Sequence, residues 1–154
     1  MRVSVIGGSA VDTPERSTAR ELGVRLANRD HVVVCGGLGG VMEAVCEGAL
    51  TAGGRTVGIL PGEDPTAANE FVETAVATGL GHARNALVVM NGDAVVAVDG
   101  GGGTLSEIGF ASVFDRPVAG LGTHAAAGVR PCETPTEAVD YIERTVDDRR
   151  EGAL

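Results

Sequence analysis

The residues of this chain best suited to chemistry are four consecutive glycines, Gly100, Gly101, Gly102 and Gly103, followed by Thr104 and, three positions later, Glu107. They join the apolar run 94–98 directly to an amphipathic segment, which is the order strand, tight turn, helix start. Without Cβ atoms such a turn lets backbone N–H groups come close to an anion, and the positive end of the following helix favours phosphate there. A phosphorylated small molecule is therefore the first ligand class the sequence suggests. The spacing of Thr104 and Glu107 also matches a capping box, in which each side chain satisfies a helix-terminal N–H without any ligand. On the motif alone both roles stand for Glu107.

Two more glycine turns follow apolar runs. Gly7, Gly8 and Ser9 come after the run 3–6, and Gly36, Gly37, Leu38, Gly39 and Gly40 come after the run 31–35, with Met42 just beyond. Apolar continuity predicts strands over 3–6, 31–35, 55–60, 71–76, 94–98 and 118–121. Helical patterns fall at 14–28, 41–52, 82–90, 104–114 and 136–146. Strands that are apolar on both faces and alternate with helices imply a Rossmann-like, doubly wound α/β fold, its mainly parallel sheet covered on both sides. In such a sheet ligands bind beyond the carboxyl ends of the strands, where strand order reverses. The three glycine turns all lie at such ends and would line one crevice. The polar, turn-rich segment 61–70 is either a flap over that crevice or a plain surface excursion.

The 154 residues, 44% of them hydrophobic, fit one domain spanning 1–154 and leave no room for a second of ordinary size. A formal net charge of −9 argues against a nucleic-acid partner, which normally meets a basic face. All twelve basic residues are arginines. With no lysine the chain can build neither a Walker-type phosphate loop nor a pyridoxal phosphate Schiff base, and no cofactor of its own is indicated. Cys35, Cys46 and Cys132 are odd in number and lack Cys-x-x-Cys spacing, so neither disulfides nor a zinc site are expected. The short apolar start is neither a signal segment nor a membrane span, which suggests a cytoplasmic protein with no membrane partner. The segments around Arg84 and Ile108 are apolar on most sides, as a helix buried on more than one side would be. A homodimer centred on them accounts for that burial, with deep packing in one chain as the alternative.

Three segments together resemble the LOG family, formerly labelled lysine decarboxylases, whose characterised members are phosphoribohydrolases. They are Gly36-Gly37-Leu38-Gly39-Gly40-Val41-Met42, His82-Ala83-Arg84-Asn85 and Gly100-Gly101-Gly102-Gly103-Thr104-Leu105-Ser106-Glu107. Met42-Glu43-Ala44-Val45 and Gly58-Ile59-Leu60-Pro61 are similar to a short branch of that family that includes molybdenum cofactor carrier proteins. The resemblance implies that Arg84 and Glu107 are the catalytic pair. Gly8, Ser9, Gly36, Gly37, Gly40, Met42, Arg84, Asn85, Gly100, Gly101, Gly102, Gly103 and Thr104 would then bind ligand, with His82 either bonding phosphate or fixing its turn. Two positions depart from the phosphoribohydrolase pattern: Asp99 replaces a proline, and Asn85 replaces a lysine that could help hold phosphate.

The implied activity is cleavage of a nucleoside 5'-monophosphate to free base and ribose 5-phosphate. A carboxylate beside the anomeric carbon suits that reaction, because positive charge develops on the sugar ring in the transition state. Arg84, with its planar fork, would hold Glu107 and a ligand oxygen. The alternative is a carrier or binding protein for a pterin-type cofactor or another phosphorylated metabolite, without turnover. A dinucleotide-dependent oxidoreductase fits less well, because Gly7-Gly8-Ser9-Ala10 lacks the Gly-x-Gly-x-x-Gly run.

Overall fold

A computed structural model describes residues 1–154. The chain runs β1 (Arg2–Gly7), α1 (Thr13–Asn28), β2 (Val32–Cys35), α2 (Val41–Thr51), β3 (Arg55–Leu60), β4 (Thr74–Ala77), α3 (Arg84–Met90), β5 (Ala94–Val98), α4 (Gly102–Val113), β6 (Val118–Leu121), β7 (Val129–Pro131) and α5 (Pro135–Gly152). All seven strands form one parallel sheet in the order β4-β3-β2-β1-β5-β6-β7. This is the doubly wound, Rossmann-like architecture.

Side chains alternate across β5, next to the central strand β1, and divide the core. Ala94, Val96 and Val98 join α1, α2 and α5 on one face, whereas Val95 and Ala97 meet Val88 and Val89 of α3 and Ile108 and Ala111 of α4 on the other. The first face is packed backbone to backbone. A Cβ on Gly48 would lie 2.0 Å from the Arg20 carbonyl oxygen, and one on Gly23 would lie 2.1 Å from that of Val45. Only residues without side chains let α1 and α2 approach so closely.

Several boundaries differ from the sequence expectations, each for a local reason. The fourth strand starts at Thr74 rather than Phe71, because the Thr56 hydroxyl bonds the Phe71 carbonyl and holds that residue in a turn. The expected helix over 82–90 begins as a single 3-10 turn, Gly81–Ala83, and becomes α-helical only at Arg84. β7 escaped notice, being three residues long and ending in proline. Segment 61–70 is tied down: Asn69 donates from its backbone N–H and its amide to the carbonyls of Gly37 and Leu38. It is a braced excursion, and Pro61 alone of its residues reaches the crevice described below.

The second face is thin. α3 and α4 bury Val88, Val89, Ile108 and Ala111 but leave Met90, Leu105 and Val113 exposed, Val113 at 75%. The helices of that face are therefore not enclosed within one chain. No helix is long and apolar enough to cross a membrane.

Candidate functional site

Strand order reverses between β1 and β5, so the chain leaves these neighbouring strands in opposite directions and a crevice opens beyond their carboxyl ends. A cavity of about 490 Å³ occupies it. Each of the three glycine turns contributes a wall: Gly8 and Ser9 after β1, Gly36 after β2, and Gly101, Gly102, Gly103 and Thr104 after β5. Met42, His82, Arg84, Asn85 and Glu107 complete the expected residues found there.

Gly37, Gly40 and Gly100 stand behind the wall. Gly40, with φ of 64°, backs onto the first turn, since a Cβ there would lie 2.2 Å from the Gly8 carbonyl oxygen. Gly37, with φ of 79°, packs against Leu60. Gly100, with φ of 119°, sits under the Thr104 side chain. Their glycine character serves the backbone. Asp99, also left-handed with φ of 53°, places its carboxylate against Gly8 and does not line the cavity.

Gly101 and Gly102 are different. A Cβ added to either would meet nothing within 4 Å, and neither has a positive φ. Nothing in the chain itself requires glycine at these positions, whereas a ligand approaching the backbone would.

The helix after this turn begins earlier than expected. α4 is capped at Gly101 and starts at Gly102, so Thr104 and Glu107 lie inside it, one turn apart, and point to the cavity together. The capping-box alternative is thereby overturned: no side chain caps this helix. Its first N–H groups have no intrahelical acceptor and bring partial positive charge to the cavity wall formed by Gly102 and Gly103.

Arg84 is 9% exposed and fully braced. Its Nε donates to the Ile59 carbonyl at 2.9 Å, one terminal nitrogen to the Gly36 carbonyl at 3.4 Å, and the other to the Asn85 amide oxygen. Gly36 makes room for it, since a Cβ there would lie 2.6 Å from the guanidinium. The surface salt bridge that an exposed helix would offer is absent: Arg84 makes no ion pair. Burial lowers its pKa, partly offset by the nearby Glu107 charge. Asn85 extends the brace, its amide nitrogen donating to the Ser106 hydroxyl at 3.3 Å, which in turn donates to the Gly103 carbonyl at 2.6 Å.

Glu107 is 8% exposed, lines the cavity, and receives neither a hydrogen bond nor an ion pair from the chain. Desolvation pushes its pKa up to about 7, against the pull of the Arg84 charge. A buried carboxyl group that the chain leaves unpartnered suits a proton acceptor or a partner for developing positive charge. Sequence reasoning missed Val5, Ile6, Gly7, Leu38, Pro61 and Gly81 among the lining residues. Pro61 was accessible to it, since it follows directly on the carboxyl end of β3.

Fold and crevice together define a class: a Rossmann-like protein with a glycine-walled ligand cleft at the reversal of strand order. Residues 1–147 match the SLOG cluster4 family, and the chain belongs to it, in a short LOG-like branch. An uncharacterised protein of Archaeoglobus fulgidus is 42% identical over 92% of this chain and 93% of its own length. A rice protein described as a probable cytokinin riboside 5'-monophosphate phosphoribohydrolase is 36% identical over 70% of this chain, which spans 49% of the rice protein. Among solved structures, the molybdenum cofactor binding protein of Rippkaea orientalis superposes with a TM-score of 0.88 at 30% identity, covering 94% of this chain and 96% of that one. The molybdenum cofactor carrier protein of Chlamydomonas reinhardtii superposes with a TM-score of 0.87 at 28% identity, covering 95% and 98%.

Two predictions follow from this geometry. Because the folded pKa of Glu107 lies above its unfolded value, the folded state holds the proton more tightly. Its burial thus costs nothing well below pH 4.5, and the penalty grows as pH rises to about 7 and then levels off. Glu107→Gln is expected to stabilise the ligand-free protein at pH 8 by about 2–3 kcal/mol, and by nothing near pH 4, in urea unfolding at the two pH values. Gly102→Ala is expected to fold with unchanged or slightly raised stability, since it adds a better helix former in open space. Any ligand that lies against this backbone should nevertheless bind about tenfold more weakly, read by calorimetric titration with inorganic phosphate and AMP as probes.

Proposed function

We propose that this crevice binds a small phosphate ester carrying a heterocyclic base, and that the protein is a nucleoside 5'-monophosphate phosphoribohydrolase. The observation that carries this reading is the convergence, in one cavity, of the unblocked helix start at Gly102 and Gly103, the braced guanidinium of Arg84 and the unpartnered carboxyl of Glu107. The amide groups and Thr104 hydroxyl would hold the phosphate. The two free N–H directions of Arg84 would reach a phosphate or ribose oxygen.

With the phosphate anchored there, Glu107, about one helical turn further along α4 and lining the same cavity, would face the attached sugar. As the bond from C1' to the base nitrogen breaks, its electron pair leaves with the base and the ribose ring becomes cationic. Ionised Glu107 stabilises that cation and accepts a proton from the attacking water, whose oxygen bonds to C1'. The departing base takes up a proton, and ribose 5-phosphate remains. Base release from AMP and related monophosphates, followed by chromatography, tests this reading. Glu107→Ala and Arg84→Ala should each lower turnover by about a hundredfold or more. The wild-type rate should rise with pH through about 7 as Glu107 ionises. No release above the Glu107→Ala background from any monophosphate would overturn the hydrolase.

A carrier role without turnover is the second reading. The likeness to molybdenum cofactor carrier and binding proteins over nearly the full length of both chains favours it, as does Asn85, which gives the cavity no second fixed cation. Saturable binding of a phosphorylated pterin that survives Glu107→Ala, with no product formed, would select it.

A homodimer fits the thin face. Leu80, Met90, Leu105 and Val113 leave apolar surface on and beside α3 and α4 that a second copy would cover. Three buried cysteines, all free thiols, suit a reducing cytoplasm. Sedimentation of the wild type should give twice the chain mass, and Val113→Asp should shift it toward the monomer.

A further inference from the structure

The proposed function assigns no role to the loop after β6, yet this loop grips the glycine turn from outside. The Thr123 hydroxyl donates to the Asp99 carbonyl at 2.7 Å, and His124 Nε2 donates to the Gly101 carbonyl at 3.0 Å. Within α4, the exposed Ser106 hydroxyl donates to the Gly103 carbonyl at 2.6 Å. Three carbonyls of the turn, at alternate positions 99, 101 and 103, are thus each held by a side chain.

Gly102 and Gly103 already belong to α4, and the Gly101 carbonyl accepts the first intrahelical bond from the Leu105 N–H at 3.0 Å, but Gly100 and Gly101 lie outside the helix and keep the conformational freedom of glycine. A peptide unit carries its C=O and N–H on opposite sides. Fixing the Asp99 and Gly101 carbonyls therefore also fixes where the N–H groups of Gly100 and Gly102 point. The Asp99 grip also holds the one residue before the glycines in its left-handed conformation, φ of 53°. The buried, unpartnered Glu107 carboxyl facing the same cavity shows that the turn borders a place built for a ligand and not merely a helix end.

Building on the proposed phosphate ester ligand, we infer that Thr123 and His124 are positioning residues: a clasp that pre-orients the amides of the glycine turn for the phosphate. Neither side chain lines the cavity, so both act through the backbone they hold. An anion site made of flexible amides loses affinity to the entropy of ordering them, and the clasp removes that cost before the ligand arrives.

The experiment uses the full chain carrying Thr123→Val and His124→Ala together. Valine keeps the methyl group that Thr123 rests over Gly120, and His124 is partly exposed, so the core is untouched. Titrations with inorganic phosphate, AMP and adenosine are compared, and amide hydrogen exchange of the peptide covering 99–105 is measured without ligand. The expected result is faster exchange in that peptide and about a tenfold loss of affinity for phosphate and AMP, with adenosine affinity unchanged. Unchanged exchange, or equal losses for AMP and adenosine, would overturn the clasp. Faster exchange in a protein whose wild type binds neither phosphate nor AMP would support the clasp while overturning the phosphate ester as its purpose.

Discussion

Neighbouring parallel strands whose chains depart in opposite directions cannot cover each other's ends, and the site depends on that constraint. At the junction of β1 and β5 the backbone has no covering helix, and the two following turns must wall a cleft. Everything else adapts to this opening. α2 is drawn against β1 until Gly7 has no space for a side chain, with Val98 and Val41 both within 3 Å of a Cβ there. The Val41 N–H closes the corner on the Gly8 carbonyl at 2.9 Å. The cleft is therefore bounded by backbone on three sides, and its chemistry comes from the few side chains that reach in.

Those side chains are unequal in how they are held. Arg84 spends three of its five N–H donors on the carbonyls of Ile59 and Gly36 and on Asn85, and so links the ends of β2 and β3 to α3. Glu107 has no such anchorage and sits in a poorly solvated place that favours its neutral form. The fold thus carries an electrostatic cost at one residue, while α1 and α2 are packed backbone to backbone on the opposite face of the sheet.

Much of this was legible in the sequence because the signals were local. Unbroken apolar strands and glycine turns at their ends were enough to place the parallel sheet and bring three distant turns to one cleft. What escaped notice depended on tertiary hydrogen bonds. Nothing adjacent to Phe71 says that Thr56 will hold its carbonyl and delay β4, and nothing near 61–70 announces that Asn69 will bind the second glycine turn. The Thr104 and Glu107 spacing fits a cap as well as a ligand face. Only the start of the helix at Gly102 decides between them, because Gly101 takes the capping position. The same limit hid Thr123 and His124, whose polar atoms meet the turn from another strand's loop.

The bracing of segment 61–70 also bears on how a bound molecule would come and go. Asn69 fastens that segment to the second glycine turn, so that 61–70 is held at the border of the cleft and does not stand free over it. Whatever occupies the cleft therefore meets a mouth whose near border is anchored at Asn69.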